Sequence, residues 1–452
     1  MKKRKFLFST TSIIMLSFLL VILVGSLLLA LPISVQKGHN VSYLDALFTA
    51  TTSTCVTGLV TLPTVTTWSI FGQIVILVLI QLGGLGVVTV MSWLMLLMHR
   101  KFRIRDHQLL QDAFNLNTLS GLRKFVKKVV VGTLIVEGIG ALLYMLVFIP
   151  DFGAKGIWIS VFTSVSAFCN AGIDIIATDS LCMYATNPLL NGVTCALIVL
   201  GGVGYVVWWD VLRVFKEFKK HKFKCLKQLT LHSKIALTAT AVLIFGGTAL
   251  VFALEYHNPL TLADYSLFDK LQISFFQSVT TRTAGFATVA QENLTDATAI
   301  VCLALMFIGG SPVGTAGGVK TVTAVVLFAT AFATIQNKEE PTIFNRTLSK
   351  QAVRKSIAVV CAAFLIAFSS TVLLAAVTSA PALDVLYEAI SATATVGLTR
   401  NLTPFLNVWG KVILIFTMYF GRIGPITLLV AFNLKKQNKN IIQDPIEEIS
   451  IG

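Results

Sequence analysis

Charge is what this chain has least of. Asp, Glu, Lys and Arg make up 13% of its 452 residues, about half the share in an ordinary soluble domain. With 55% hydrophobic residues and a mean hydropathy of +0.80, that scarcity excludes a soluble multidomain enzyme and a disordered chain. Histidine is also sparse: the six present lie near span ends or in loops, and neither an H-E-x-x-H metal motif nor a serine-nucleophile motif occurs. The seven cysteines are odd in number, contain no C-x-x-C pair and mostly fall in apolar runs. They read as small hydrophobes, not a zinc site or a disulfide framework. No polar stretch is long enough for a soluble nucleotide-binding domain. The net charge of +15 does not make the chain a nucleic-acid binder, because its placement decides what it attracts.

What the sequence does hold is apolar runs of membrane-spanning length. A bilayer core of ~30 Å needs about 20 such residues per helix. Runs of this kind lie near 6–31, 70–98, 126–149, 190–212, 233–254, 298–333, 354–377 and 408–433. The first follows Lys2-Lys3-Arg4-Lys5 as a signal peptide would, but it is too long for one and no A-x-A site follows, so it reads as a retained span. Basic segments at 2–5, 99–128, 213–234, 338–355 and 435–439 hold 28 of the 36 Lys and Arg. The positive-inside rule then gives eight crossings with both termini cytoplasmic. The outward segments carry eleven acids against six bases. Those acids either draw cations to the outer face or simply solvate loops.

Each outward segment is too long and too apolar for a plain loop, and four of them align without gaps. TTSTCVTGL ends at Leu59, SAFCNAGI at Ile173, VTTRTAGF at Phe286 and SATATVGL at Leu398. Their glycines, Gly58, Gly172, Gly285 and Gly397, are 114, 113 and 112 residues apart. Ten residues before each stands Phe48, Phe162, Phe275 or Tyr387. A second marker follows on the next span: Gly83-Gly84-Leu85-Gly86, Gly201-Gly202-Val203-Gly204, Gly309-Gly310-Ser311-Pro312 and Gly421-Arg422-Ile423-Gly424. Two ordered markers in four copies point to a repeated unit of span, short re-entrant helix, glycine-centred turn and span.

Non-helical backbone at membrane depth is tolerated only where protein or water surrounds it. Four such turns meeting on a pseudo-fourfold axis would offer backbone carbonyls in place of an ion's hydration shell. Glycine suits the task because it permits positive φ and close backbone approach. The short helices would point their partly negative C-termini at the ion. The hydroxyls of Thr54, Ser166, Thr280, Thr281, Ser391 and Thr393 are available to brace the turns or line their inner end.

These residues, with the segment Gly309–Thr321 (GGSPVGTAGGVKT), resemble the membrane subunit of the Ktr/Trk/HKT superfamily of potassium transporters, most of all the bacterial Ktr type. The resemblance covers essentially the whole chain. It implies a potassium-permeable pore with one filter glycine per repeat. The filter strands would be Thr54, Cys55, Val56, Thr57 and Gly58; Phe168, Cys169, Asn170, Ala171 and Gly172; Thr281, Arg282, Thr283, Ala284 and Gly285; and Thr393, Ala394, Thr395, Val396 and Gly397. Potassium, or sodium, would sit at their backbone carbonyls. No covalent cofactor is expected.

The run 298–333 is too long for one crossing at 1.5 Å per residue. Its middle (Gly309, Gly310, Ser311, Pro312, Val313, Gly314, Thr315, Ala316, Gly317 and Gly318) cannot remain helical. It is not a P-loop, because Val319 intervenes before Lys320. It is either a packing break or, as the resemblance implies, a gate beneath the filter whose closed form rests on few contacts. Arg422 stands mid-span, where charge is costly. The resemblance places it in the pore below the filter; the plain alternative is an arginine satisfied by helix-end carbonyls. Arg282, three residues before Gly285, is expected behind the filter, and Glu137 in a helix–helix hydrogen bond.

The expected fold is an all-α membrane protein with eight transmembrane helices in four span–pore-loop–span repeats around a pseudo-fourfold pore. The repeats would be 1–98, 99–212, 213–337 (its second span interrupted at 309–318) and 338–433, followed by a cytoplasmic tail, 434–452. The expected function is non-enzymatic potassium uptake across the cell membrane. A sodium-coupled secondary cation transporter is the alternative, but parallel repeats disfavour alternating access. Regulation would come from another polypeptide; the resemblance implies a homodimer on a cytosolic nucleotide-binding regulatory ring. The basic segments 99–128, 213–234 and 338–355 would contact that ring or anionic membrane lipids.

Overall fold

The computed structural model describes residues 10–97, 122–216, 227–338 and 340–424. The basic segments 2–5 and 435–439, most of 99–128, the end of the run 408–433 and the tail 434–452 lie outside the described residues. The fold is mostly helical. Four peripheral helices, Thr10–Leu29, Leu122–Phe152, Leu231–Glu255 and Lys350–Val377, are long and apolar enough to cross a membrane. Each turns a leucine- and phenylalanine-rich face outward, with Leu20, Leu142, Phe245 and Phe364 all exposed. In water such faces would demand a partner; in hydrocarbon they need none.

After each peripheral helix comes a short buried one: Tyr43–Cys55, Lys155–Cys169, Leu267–Thr280 and Ala382–Ala394. The aromatics ten residues before the marker glycines anchor them. Phe48, Phe162 and Tyr387 are fully buried, whereas Phe275 is only partly so and its neighbour Phe276 takes the buried place. An inner helix follows: Ile70–Leu85, Pro188–Val203, Asp296–Phe307 and Val408–Ile423. Most starts are written in the sequence as Ser, Thr or Asn caps, which satisfy amide groups that water cannot reach. Ser42, Asn187, Thr230, Ser266, Thr295 and Asn407 each accept from a backbone N–H three residues on.

The inner helices overturn one expectation. The runs 70–98 and 190–212 read as continuous spans, yet both break. Gly86 (φ 83°) separates Ile70–Leu85 from Val87–Leu97, and Gly204 (φ 94°) separates Pro188–Val203 from Tyr205–Lys216, which bend by 100°. Gly424 (φ 92°) ends Val408–Ile423 in the same way. The physical reason is the last glycine of the second marker, which adopts a left-handed φ that a side chain resists. Between Asp296–Phe307 and Thr321–Ile335 the break widens to the irregular segment Ile308–Lys320.

Packing closes on itself. Ile70–Leu85 lies on Lys155–Cys169, Pro188–Val203 on Leu267–Thr280, Asp296–Phe307 on Ala382–Ala394, and Val408–Ile423 on Tyr43–Cys55. The last contact joins the two ends of the described chain, and Lys411 Nζ donates to Asp45 Oδ1 across it at 2.6 Å.

Candidate functional site

The short helices end in backbone that few residues tolerate. Two residues before each marker glycine stands Val56 (φ 55°), Asn170 (60°), Thr283 (69°) or Thr395 (52°), all left-handed. In three of the four copies a Schellman-type bond holds the turn: Thr57 N donates to Thr52 O, Ala171 N to Ser166 O, and Val396 N to Ser391 O, at 2.8–2.9 Å. The third differs, Ala284 N bonding Thr280 O instead. The glycines then return to positive φ: Gly58 100°, Gly172 64°, Gly285 83° and Gly397 96°.

The four glycines meet. A Cβ on Gly58 would lie 2.6 Å from Ala171 O, on Gly172 2.5 Å from Ala284 O, and on Gly285 2.7 Å from Val396 O; one on Gly397 would strike Thr57 O. Each glycine thus faces the carbonyl that precedes the next glycine, in chain order and back to the first. Four backbone segments separated by more than a hundred residues form one closed ring.

Hydroxyls brace it, though not all those expected. Thr52 Oγ1 and Ser391 Oγ accept from Gly58 N and Gly397 N, both at 3.0 Å, and Ser166 Oγ from Ile173 N at 3.1 Å. Thr280 Oγ1 donates to Phe286 O at 2.5 Å. Thr54 braces nothing: its buried Oγ1 has no hydrogen-bond partner, and Thr52 one half-turn earlier takes the role. Thr281 and Thr393 turn back to their own helices, on Ser278 O and Ala389 O. Two of the residues three before a glycine, Cys169 and Arg282, turn to neighbouring elements. Cys169 Sγ lies 3.7 Å from Glu137 Oε1, and Arg282 Nη1 donates to Ile308 O at 2.7 Å. Gln81 Nε2 donates to Glu137 Oε2 at 3.1 Å, the helix–helix bond expected of that acid.

Against the ring, on the side where the short helices end, lies Ile308–Lys320. Its neck is closed by a bridge between Ile308 and Val319 and by Ser311 Oγ on Thr321 Oγ1 at 2.9 Å. Gly317 N donates to Thr283 Oγ1 at 3.2 Å, and Thr315 Oγ1 donates to Phe168 O at 3.1 Å and contacts Asn170 Oδ1 at 3.2 Å. Further bonds tie it to the broken span 188–216: Ser311 N to Gly202 O, Thr315 N to Gly201 O, and Tyr205 N to Val313 O, at 2.8–3.1 Å. The expectation of few contacts is therefore wrong. Five glycines prevent a helix, but they also let the segment fit closely, as Gly314 does against Gly201 O and Gly202 O.

The profile of the TrkH cation transport protein family matches residues 4–443 of this chain. The chain belongs to the TrkH family. Ktr system potassium uptake protein B of Bacillus subtilis (strain 168) is 37% identical over 446 residues, 98% of this chain and 97% of that one. Potassium/sodium uptake protein NtpJ of Enterococcus hirae is also 37% identical, over 459 residues, 100% of this chain and 99% of its own length. Among solved structures, the potassium transporter TrkH of Vibrio parahaemolyticus has the same fold, with a TM-score of 0.72 at 16% identity over 96% of this chain and 87% of that one. The chain is accordingly a multi-pass membrane protein.

In this TrkH-family chain two half-buried cations hold the loop by consecutive carbonyls. Arg422 Nη1 donates to Thr315 O and Nη2 to Gly83 O, both at 2.5 Å. Lys320 Nζ donates to Ala316 O at 2.6 Å and reaches Gly317 O at 3.5 Å. Arg422 is thus satisfied by a helix-end carbonyl, Gly83 O, and at the same time bonds the loop at Thr315 O. Lys320 carried no role in the sequence reading; its signal was a lone lysine at the end of an apolar, glycine-rich segment. Asp174 follows Gly172 by two residues. Burial pushes its carboxyl up to about 6, against a backbone hydrogen bond from Ile176 N.

Proposed function

We propose that the protein carries potassium across the cell membrane through the ring of the four glycine turns. The observation that carries this reading is the closed cycle of positive-φ glycines, each against the carbonyl before the next. Left-handed residues two positions apart turn successive carbonyls to one side, as an ion-coordinating strand requires, and rings of such carbonyls replace a hydration shell. In this reading 1–98, 99–212, 213–337 and 338–433 are four repeats making eight crossings, with both termini cytoplasmic. Ile308–Lys320 is the gate. It opens by moving between loop arrangements that a regulator biases with a few kcal/mol.

The B. subtilis relative is named as part of a Ktr system, which supports work with a regulatory subunit; we read that partner as a cytosolic nucleotide-binding ring under a homodimer of this chain. The E. hirae relative is named for both potassium and sodium, which favours a second reading in which sodium also passes or assists. Potassium against sodium flux into vesicles, with and without a cytosolic partner, tests the proposal. Potassium-selective flux that the partner raises supports it; equal flux of both ions in a folded protein contradicts the filter assignment.

A further inference from the structure

Strands Thr342–Ile343 and Arg346–Thr347 pair antiparallel, and Phe344 and Asn345 join them at φ 49° and 58°. Positive φ at both central residues is the mark of a type I′ turn, which favours Asn and Gly. Asn345 fits that preference; Phe344 does not, since a bulky residue at positive φ is a conformational outlier. Strain of this kind persists where something else gains from it. The core does not gain, because the Phe344 ring is 52% exposed. The turn holds an aromatic ring out at its tip where glycine would sit freely.

The surroundings say what the ring faces. The hairpin follows Thr321–Ile335, which exposes Phe328, Phe332 and Ile335 along one stripe, and precedes Lys350–Val377, which exposes Phe364, Leu365 and Phe368. It therefore links two outward apolar faces at one end of the molecule. Arg346, Lys350, Arg354 and Lys355 are exposed in it and just after it, and Lys338 and Glu340 just before, so the segment 338–355 holds five bases against two acids. An apolar tip beside clustered Lys and Arg is the composition of an interfacial anchor, and each basic residue near an anionic surface adds to the attraction.

We propose that this hairpin is a membrane-interface anchor: Phe344 inserts among the lipids of the cytoplasmic leaflet, and the surrounding Lys and Arg bind anionic phospholipid headgroups. It rests on the orientation given under the proposed function. Because Thr321–Ile335 begins immediately after the loop Ile308–Lys320, the anchor fixes the far end of the half-helix that carries the gate.

The test uses the full-length protein in nanodiscs of phosphatidylcholine, alone or mixed equally with phosphatidylglycerol. A Phe344→Trp variant adds one tryptophan whose emission is read as the difference from the parent. Lipids brominated near the headgroup should quench that added emission, more strongly with phosphatidylglycerol. Arg346→Glu with Lys350→Glu should abolish the phosphatidylglycerol dependence. In the unsubstituted protein, amide exchange of residues 342–347 should slow at least severalfold in the anionic discs. Unquenched emission with equal exchange in both discs overturns the proposal, as does slowing that needs a cytosolic protein, which would make the hairpin a protein-docking site. Potassium flux measured in the same preparations separates the two claims, since quenching without flux would leave the anchor standing while the transport reading fell.

Discussion

At Gly58 and its three counterparts a side chain would meet a neighbouring carbonyl before anything else. Gly58→Ser places a Cβ within 2.6 Å of Ala171 O at a φ of 100°, and left-handed backbone costs an L-residue roughly 1–2 kcal/mol. If the displaced carbonyl transmits that strain to the ion, potassium preference over sodium falls by about tenfold; reversal potentials in mixed salts read this. Thr52→Val should lose the brace on Gly58 N and about 1 kcal/mol of stability, while Thr54→Val, which gives up no hydrogen bond, should not lower the melting temperature. Asp174 gives a pH prediction. With its carboxyl pushed up to about 6, it is neutral below that value and charged above it. Outward acidification from pH 7.5 to 5 should therefore reduce cation flux in the parent, and Asp174→Asn should flatten the dependence at the lower level. The glycines were legible in the sequence because their spacing repeats. The left-handed Val56, Thr283 and Thr395 were not, because β-branched residues resist that conformation and tertiary contacts alone hold them there. That Thr52 and not Thr54 braces Gly58 was equally hidden, a choice set by which hydroxyl the turn happens to reach.

Among the elements, the loop Ile308–Lys320 could be read as irregular because five glycines and a proline accumulate in it. The breaks at Gly86 and Gly204 could not, since one glycine costs a helix only ~1 kcal/mol and does not announce whether the helix bends there. The loop's hydrogen bonds to Gly201, Gly202, Thr283 and Arg422 were equally hidden, as they join segments far apart in the chain. They sharpen what Arg422 should do. Arg422→Ala removes both a fixed cation and two hydrogen bonds to the Thr315 and Gly83 carbonyls. Cation flux without a cytosolic partner should rise. Arg422→Lys keeps the charge but not the fork, so it should raise flux less; equal flux in parent and both folded variants would remove Arg422 from the gate. Deleting residues between Gly310 and Gly318 should raise partner-independent potassium flux with selectivity retained. Parental flux with intact regulation would mean that the loop merely interrupts a helix.

For the whole molecule, the run lengths and the charge alternation of the sequence indicate a membrane protein of many spans, and the repeated markers indicate which segments correspond. How the last segment returns to the first is visible only in three dimensions, where Lys411 reaches Asp45 across 366 residues of chain. Both side chains are largely buried, 17% and 12% exposed, so removing one partner strands the other. Lys411→Met should lower the melting temperature in detergent, equivalent to roughly 3 kcal/mol, and adding Asp45→Asn should recover part of that loss. The central claim, that the closed ring coordinates the permeating ion through backbone carbonyls, is tested most directly by crystals grown in rubidium, a potassium congener that anomalous scattering locates. Rubidium should lie on the axis enclosed by Thr57, Ala171, Ala284 and Val396, with carbonyl oxygens as its ligands. Rubidium bound instead among side chains away from that ring, with none on the axis, would contradict it.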